Sequence, residues 1–275
     1  MQITEKTIDI DALLEQKMGE KAQKVPRFLV RYLKRILHQD EDNEFLWQHR
    51  DEKGTPWLKS CTEFLGMNLV VKGQENLPAN NDGKRYTFVS NHPLGGQDGI
   101  AYGYILGKQY DGKIRLVVND LLMNLPGLAP LCIPVNTVAR KSNRGTAEAI
   151  EGGFNSENHM FFFPAGLCSR KIDGEIKDLP WRKTFLQKSI EHQRDIVPLH
   201  FSGQNSKRFY RIANICKALN LKVNIAMLYL ADEMYKNRGK TFEVTIGKPI
   251  SWQTLKDMTT ADGVEYVRSK VYDLK

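Results

Sequence analysis

The stretch YTFVSNHPLGGQDGI, residues 86–100, joins a short apolar run to a glycine-rich turn and then to a helix-like segment. Its first five residues are mostly β-branched or aromatic, which predicts a buried strand over residues 86–90. The paired glycines allow the chain to fold back before a helix near residues 99–110. Strands that alternate with helices are typical of sheets whose faces are covered. The stretch therefore predicts an α/β fold, with polar side chains where the strand ends.

The same alternation of apolar runs and helical patterns continues to the C-terminus. Further strands are predicted at residues 114–118, 132–135, 160–164, 196–201, 222–227 and 242–247, and further helices near 145–156, 183–192, 208–219 and 261–273. We therefore expect a single α/β domain over residues 65–275. Its sheet should be mixed and largely parallel, with about seven strands covered by helices. Residues 1–64 should form an N-terminal helical segment.

Within that segment, VPRFLVRYLKRILHQ (residues 25–39) has the spacing of an amphipathic helix. Its apolar residues are Phe28, Leu29, Tyr32, Leu33, Ile36 and Leu37, and its basic residues are Arg27, Arg31, Lys34 and Arg35. Two interpretations stay open. The helix could lie in a membrane interface, or it could pack on its own domain with a solvated basic face.

The charge balance of the chain narrows the class of partner. The 275 residues carry a formal net charge of +8, which suits nucleic acid, an acidic membrane surface or a phosphorylated substrate.

The N-terminus has no apolar centre, so we expect no signal peptide. No run of about 18 apolar residues occurs, so we expect no transmembrane helix. The four cysteines are widely spaced, which is typical of reduced thiols in the cytoplasm.

Four polar stretches each follow a predicted strand directly. They are NHPLGGQDG after Val89, NTVARKSNR after Val135, PAGLCSR after Phe163 and SGQN after Phe201. In sheets of this kind, binding sites collect where strands end and loops begin. We therefore expect these stretches to line one pocket.

The first stretch carries a candidate for proton transfer. His92 can act as a general base, because an imidazole exchanges protons near neutral pH. A carboxylate bonded to the ring would fix its tautomer, and Asp98 could reach it across the two glycines. Asn91 offers a supporting hydrogen bond. The alternative is a structural histidine in a turn, with Asp98 as the cap of the following helix.

Two later stretches carry candidates for anion binding. Arg140 and Lys141 precede a predicted helix start, where cations and free N–H groups suit phosphate or carboxylate. Gly166, Ser169 and Arg170 combine an open backbone with a hydroxyl and a guanidinium. The alternative for the stretch with Arg140 and Lys141 is a solvated basic loop. The alternative for the stretch with Gly166, Ser169 and Arg170 is an ordinary loop at the end of a strand.

Several other site types lack their motifs. There is no G-x-S-x-G for a serine nucleophile, and no base pairs with Cys168 in the sequence. The chain has no HExxH and no CxxC, so we expect no metal site. It also lacks the P-loop and GxGxxG motifs. The aromatic run at residues 161–163 is consecutive, which indicates core rather than a base-stacking platform, so we expect no nucleic-acid partner.

In this order, the stretches resemble the lysophospholipid acyltransferase family, typified by 1-acylglycerol-3-phosphate acyltransferases. The family's N-H-x4-D block is similar to NHPLGGQD, and its arginine block is similar to IPVNTVARK. Its F-P-E-G-T-R-S block is similar to FPAGLCSR, and its V-P-[VLI] strand is similar to VPLHFSG. A closing G-x-P-[IL] strand is similar to VTIGKPIS. The resemblance covers roughly residues 65–250, and it implies that residues 65–275 are a catalytic domain.

The resemblance implies direct acyl transfer without an acyl-enzyme. His92 would deprotonate the hydroxyl of a lyso-lipid as it attacks the thioester of acyl-ACP or acyl-CoA, and Asp98 would orient His92. Arg140 and Arg170 would hold the acceptor head group, and no cofactor is implied. The enzyme would bind an anionic membrane surface, peripherally, at the cytoplasmic face of the cytoplasmic membrane. A lipid or thioester hydrolase using the same pair on water is the alternative.

Two departures from the family pattern affect these expectations. Five residues, not four, separate His92 from Asp98, and Gln97 holds the family's aspartate position. We expect Asp98 to partner the histidine, with Gln97 as the weaker alternative. Ala165 replaces a glutamate of the family's acceptor site, which argues against glycerol phosphate. The variants look most like the hemolysin-like branch. That branch resembles the O-acyltransferases of aminolipids such as ornithine or glycine lipids, whose acceptor is an N-acylated amino acid.

Overall fold

A computed structural model describes residues 6–135, 144–219 and 225–275. Its α-helices are α1 (Ile10–Met18), α2 (Arg27–Ile36), α3 (Gln39–Gln48), α4 (Thr55–Phe64), α5 (Gln97–Gln109), α6 (Arg144–Phe154), α7 (Thr184–Glu191), α8 (Lys207–Ala218), α9 (Leu230–Lys236), α10 (Trp252–Lys256) and α11 (Thr260–Tyr272). Its strands are β1 (Asn68–Lys72), β2 (Thr87–Ser90), β3 (Ile114–Asn119), β4 (Cys132–Val135), β5 (His159–Phe162), β6 (Arg170–Ile172), β7 (Glu175–Lys177), β8 (Ile196–Phe201) and β9 (Thr241–Ile246).

Seven strands form one mixed sheet in the order β1-β9-β8-β2-β5-β3-β4. All neighbouring pairs are parallel except β8 and β9. The strands β6 and β7 form a separate antiparallel hairpin. The α/β class, the largely parallel sheet and the N-terminal helices confirm the fold predicted from the sequence.

The strand predicted at residues 222–227 is not formed in its described part. Residues 220–224 lie outside the described residues, and Ile225–Tyr229 is a 3₁₀ turn rather than the end of a strand. The seventh strand is instead β1, an edge strand in which half-buried and exposed residues alternate. An edge strand exposed on one face lacks the continuous apolar run that marks the buried strands.

The sheet separates two hydrophobic cores. Neighbouring side chains point to opposite faces, so Phe161 enters the core beneath α4 and α5 while Phe162 enters the core beneath α7 and α11. This confirms Phe161 and Phe162 as core, whereas Phe163 is half-buried and lines the cavity described below. Trp57 and Leu58 of α4 pack in the first core, so the N-terminal segment is tied to the sheet.

The basic helix α2 is shorter than the pattern predicted, because His38 adopts a left-handed conformation (φ 46°) and the chain turns into α3. Its apolar residues do not all face inwards. Ile36 is buried, whereas Phe28 is 69% exposed and lies on the same side of the helix as Arg31.

Candidate active site

The carboxyl ends of the central parallel strands meet at one edge of the sheet. Val89 of β2 pairs with Phe162 of β5, so the loops that follow these strands start side by side. His92 lies on the first loop and Gly166 on the second. This arrangement supports the predicted pocket for these two stretches, whereas no residue of the SGQN stretch after β8, which the structure describes in full, lines it. The stretch after β4, which contains Arg140 and Lys141, lies at residues 136–143, outside the described residues.

His92 and Asp98 are in direct contact. The Nδ1 atom of His92 lies 2.9 Å from Oδ2 of Asp98, and the imidazole stacks on the ring of Phe163 with centroids 3.8 Å apart. Asp98 lies in the first turn of α5, where the helix dipole favours a carboxylate. Because Nδ1 is held by the carboxylate, Nε2 is the ring nitrogen left for a substrate.

The Asp98 carboxylate is fully buried and has several hydrogen-bond donors. Its Oδ2 also accepts from the backbone N–H groups of Leu94 (3.0 Å) and Gly95 (3.3 Å), and Oδ1 accepts from that of Gly99. Burial alone would raise the pKa of Asp98. The charge of His92 and these donors outweigh it and hold the pKa below its usual value. A buried, ionised carboxylate is the partner that an imidazolium requires.

Gln97, the alternative partner, makes no hydrogen bond to His92. Its side chain is completely buried, and neither of its amide atoms has a hydrogen-bond partner among the described residues. The extra residue in this turn therefore places Asp98, not Gln97, against the imidazole. The expectation that Gln97 supports the histidine does not fit this geometry.

Asn91 supports the site through the sheet. Its Nδ2 donates to the carbonyl of Phe201 (2.9 Å), and its Oδ1 accepts from the N–H of the same residue (2.8 Å). The side chain thus extends the pairing of β2 with β8 by one step. It fixes where the loop carrying His92 leaves the sheet.

Ser169 takes a different position from the one predicted, because it is buried and its hydroxyl does not face the pocket. Its backbone N–H donates to the carbonyl of His92 (2.7 Å), and its Oγ donates to Oδ1 of Asp178 (2.6 Å). The same Oδ1 accepts from the N–H of His92 at 3.3 Å, and Oδ2 accepts from Nε1 of Trp181 at 3.1 Å. Ser169 and Asp178 therefore hold the backbone of His92 from both sides. Sequence reasoning missed Asp178.

A cavity of about 1230 Å³ opens beside the His92–Asp98 pair. This volume exceeds that of common small-ligand pockets, which range from about 300 to 1,000 Å³. Most of its lining is apolar, and it includes Trp57, Leu58, Ile100, Leu116, Leu122, Leu125, Leu128, Phe161, Phe163, Leu167, Phe209, Leu230 and Met234. His92 is part of the same wall. The cavity therefore presents the His92 imidazole to a long apolar ligand.

Among the residues that the structure describes, three cationic side chains line this cavity, and they differ in what they contact. Arg170 turns its Nη1 towards the carbonyls of Cys168 (2.5 Å) and Ser169 (3.2 Å). Lys188 is paired with two glutamates. Arg182 is exposed and lies against Gly166, whose positive φ of 70° and missing side chain permit this close approach. Arg182 was missed from the sequence, where it stands between Trp181 and Lys183 and matches none of the family's blocks.

Other reactive groups near the site are engaged elsewhere. Burial raises the pKa of the Cys168 thiol, which keeps it protonated and disfavours it as a nucleophile. Potential metal-ligand atoms of Glu151, Glu191 and His192 lie within 4.8 Å of one another. The ammonium group of Lys188 forms ion pairs with both of these glutamates, so each carboxylate already has a cationic partner.

Comparison with known proteins identifies the family. A family model described as "Acyltransferase" matches residues 12–275. The chain belongs to the acyltransferase family. A lyso-glycine lipid O-acyltransferase of Phocaeicola vulgatus is 59% identical over 97% of the chain and 95% of its own length. One from Bacteroides thetaiotaomicron is 56% identical over 97% of each chain. These findings confirm the lysophospholipid acyltransferase resemblance and make this acyltransferase an O-acyltransferase of lipid metabolism.

A solved structure shares the acyltransferase fold. It is the 1-acyl-sn-glycerophosphate acyltransferase PlsC from Thermotoga maritima, with a TM-score of 0.50 and 18% identity over 96% of this chain and 94% of its own. At this identity the match concerns the fold alone. None of the helices in the described parts of the acyltransferase has the length and apolar character needed to cross a bilayer.

Proposed function

We propose that this acyltransferase esterifies the hydroxyl of a lyso-glycine lipid with a fatty acyl group taken from a thioester. Nε2 of His92 removes the hydroxyl proton as the oxygen attacks the thioester carbonyl, and the ester forms as the thiolate leaves. The proton then passes from the imidazolium to the thiolate. Asp98 stabilises the imidazolium and holds the ring in one orientation.

The observation that carries this proposal is the His92–Asp98 contact on the wall of a large apolar cavity. A thioester and a hydroxyl held together gain much of their reactivity from position alone. The general base adds typically 10²–10⁴-fold. The donor is acyl-ACP or acyl-CoA. Both are reactive thioesters, so the scheme needs no further cofactor.

The lyso-glycine lipid acceptor is proposed because relatives with that name align over almost the whole chain. A lipid attached through the amino group of glycine keeps one free carboxylate. Arg182 and Arg170, at the same cavity, provide guanidinium groups suited to a carboxylate. Ala165, where the family pattern has glutamate, is buried and adds no negative charge beside them.

The site of action follows from the two substrates. Acyl-ACP and acyl-CoA are cytoplasmic thioesters, whereas a lyso-lipid resides in a membrane. The acyltransferase would therefore act peripherally, on an anionic surface at the cytoplasmic face of the cytoplasmic membrane. The basic helix α2, with Phe28 exposed, is suited to such contact.

Mass spectrometry of a reaction with purified protein tests the proposal. The protein would be mixed with acyl-ACP or acyl-CoA and, in parallel, with lyso-glycine lipid or lysophosphatidate. We expect a diacylated glycine lipid, and its loss with His92→Ala. Free fatty acid without a diacylated product would show a hydrolase instead. Acylation of lysophosphatidate but not of lyso-glycine lipid would refute the proposed acceptor and leave the proposed acyl-transfer mechanism intact.

A further inference from the structure

The helices α2 and α8 lie next to each other beside the cavity. Nη2 of Arg208 on α8 donates to the hydroxyl of Tyr32 on α2 (3.0 Å), and that hydroxyl lies 2.8 Å from the hydroxyl of Tyr229. The guanidinium of Arg208 also lies over the ring of Tyr229. Tyr229 directly precedes α9, whose Leu230 lines the cavity. The two helices therefore form one surface at the outside of a cavity wall.

This surface is basic and has no carboxylate of its own. Neither α2 nor α8 contains aspartate or glutamate. Their exposed cations are Arg27, Arg31, Arg35, Lys207, Arg208, Arg211 and Lys217. Across the residues that the structure describes, none of these seven forms an ion pair, whereas Lys34 at the edge of α2 pairs with Asp11. Unpaired cations on one surface attract an anionic partner.

Large apolar side chains are exposed among these cations. Phe28 on α2 is 69% exposed and Ile215 on α8 is 51% exposed. At 100° per residue, Ile215 lies on the same side of α8 as Arg208 and Arg211. Exposed apolar groups next to lysine and arginine are typical of helices that lie in a membrane interface. A water-soluble acidic partner would not require them.

We infer that α2 and α8 together form the surface that binds this acyltransferase to an anionic lipid bilayer. The inference rests on the proposed function, since a lyso-lipid acceptor reaches the cavity from a membrane. It extends membrane contact beyond the amphipathic helix recognised in the sequence to α8. Binding in this orientation would place the wall that contains Leu230 next to the lipid.

Vesicle sedimentation with the full chain tests the inference. Vesicles of phosphatidylcholine alone would be compared with vesicles that also contain phosphatidylglycerol. Two double variants would be compared. The first is Lys207→Gln/Arg211→Gln on α8, and the control is Lys248→Gln/Lys256→Gln, at exposed positions in and near α10. Each double variant removes two positive charges and lowers the net charge from +8 to +6. At roughly 1 kcal/mol per cation near the surface, we expect the first pair to weaken binding to anionic vesicles about 30-fold. The second pair should leave binding almost unchanged.

The apolar contribution is tested with Ile215→Ser, which should weaken binding to both kinds of vesicle. Equal weakening by the two charge pairs, or binding that ignores phosphatidylglycerol, would overturn the inference. The inference would also be overturned if the protein did not bind vesicles but bound acidic carrier protein, and this binding depended on Lys207 and Arg211. Acyl transfer on detergent-dispersed substrate should be normal in the α8 variants. If the wild-type protein showed normal transfer on detergent-dispersed substrate but did not bind anionic vesicles, this surface would be refuted and the proposed function would remain intact.

Discussion

Replacement of Asp98 by asparagine removes the charge that faces His92 while it keeps the shape of the side chain. Oδ2 of Asp98 accepts three hydrogen bonds and Oδ1 accepts one. The asparagine oxygen can take the place of Oδ2, but the amide NH₂ then faces the N–H of Gly99. The variant therefore loses the negative charge and one hydrogen bond at the same time.

The magnitude follows from the contact distance. Two unit charges separated by 2.9 Å attract by about 6 kcal/mol at an effective dielectric constant near 20. The imidazolium is only partly formed in the transition state, so about 3–4 kcal/mol of this is lost. We therefore expect Asp98→Asn to lower kcat by roughly 10²–10³-fold.

The assay is the initial rate of diacylated lipid formation over a range of acceptor concentrations, with urea unfolding to confirm that each variant is folded. The matched control is the neighbouring Gln97→Met, which removes an amide without a hydrogen-bond partner. It should keep kcat close to that of the wild type and raise the free energy of unfolding by about 1 kcal/mol. An Asp98→Asn variant with near-normal kcat, or an equal loss in Gln97→Met, would refute the role assigned to Asp98.

Three further outcomes follow from the site and the core. Asp178→Ala should lower kcat at least tenfold with little change in KM, because it frees the backbone of the catalytic histidine. Trp181→Phe, which removes the hydrogen bond to Oδ2 but leaves Oδ1 of Asp178 in contact with His92, should have a much smaller effect on kcat in the same assay. Arg182→Gln should raise KM for a carboxylate acceptor at least tenfold, whereas the exposed neighbour Lys183→Gln should not, as measured by acceptor titration. Burial lowers the pKa of His200 to about 4. Between about pH 6.5 and 4 the unfolded chain therefore binds a proton that the folded chain does not, and the free energy of unfolding decreases as the pH is lowered. His200→Phe should reduce this fall by about 2–3 kcal/mol between pH 7 and 4.5, as measured by urea unfolding.

The central strands were predictable because each is a short run buried on both faces. All four residues of β2 and all six of β8 are buried, which gives the continuous apolar signal of a parallel sheet. Ile225–Tyr229 gives a similar signal but forms a 3₁₀ turn near the cavity. A short apolar run reports burial, and it does not by itself distinguish a strand from a turn packed against a core.

The predictable part of the site is its local part. His92 and Asp98 are six residues apart, and two glycines between them allow the contact that the sequence suggested. The contact from Asp178 to His92 spans 86 residues, so no local pattern reports it. The direction of the Ser169 hydroxyl was equally hidden, because a strand exit does not reveal whether a side chain faces a cavity or the loop beside it.

The central claim is that His92, held by Asp98, transfers an acyl group from a thioester to the hydroxyl of a lyso-glycine lipid. The most direct measurement is single-turnover formation of the diacylated glycine lipid by wild type and by His92→Ala, with free fatty acid quantified in the same samples. The account predicts rapid diacylated product for the wild type and a rate at least 100-fold lower for the variant. Equal product rates, or fatty acid as the main wild-type product, would contradict it.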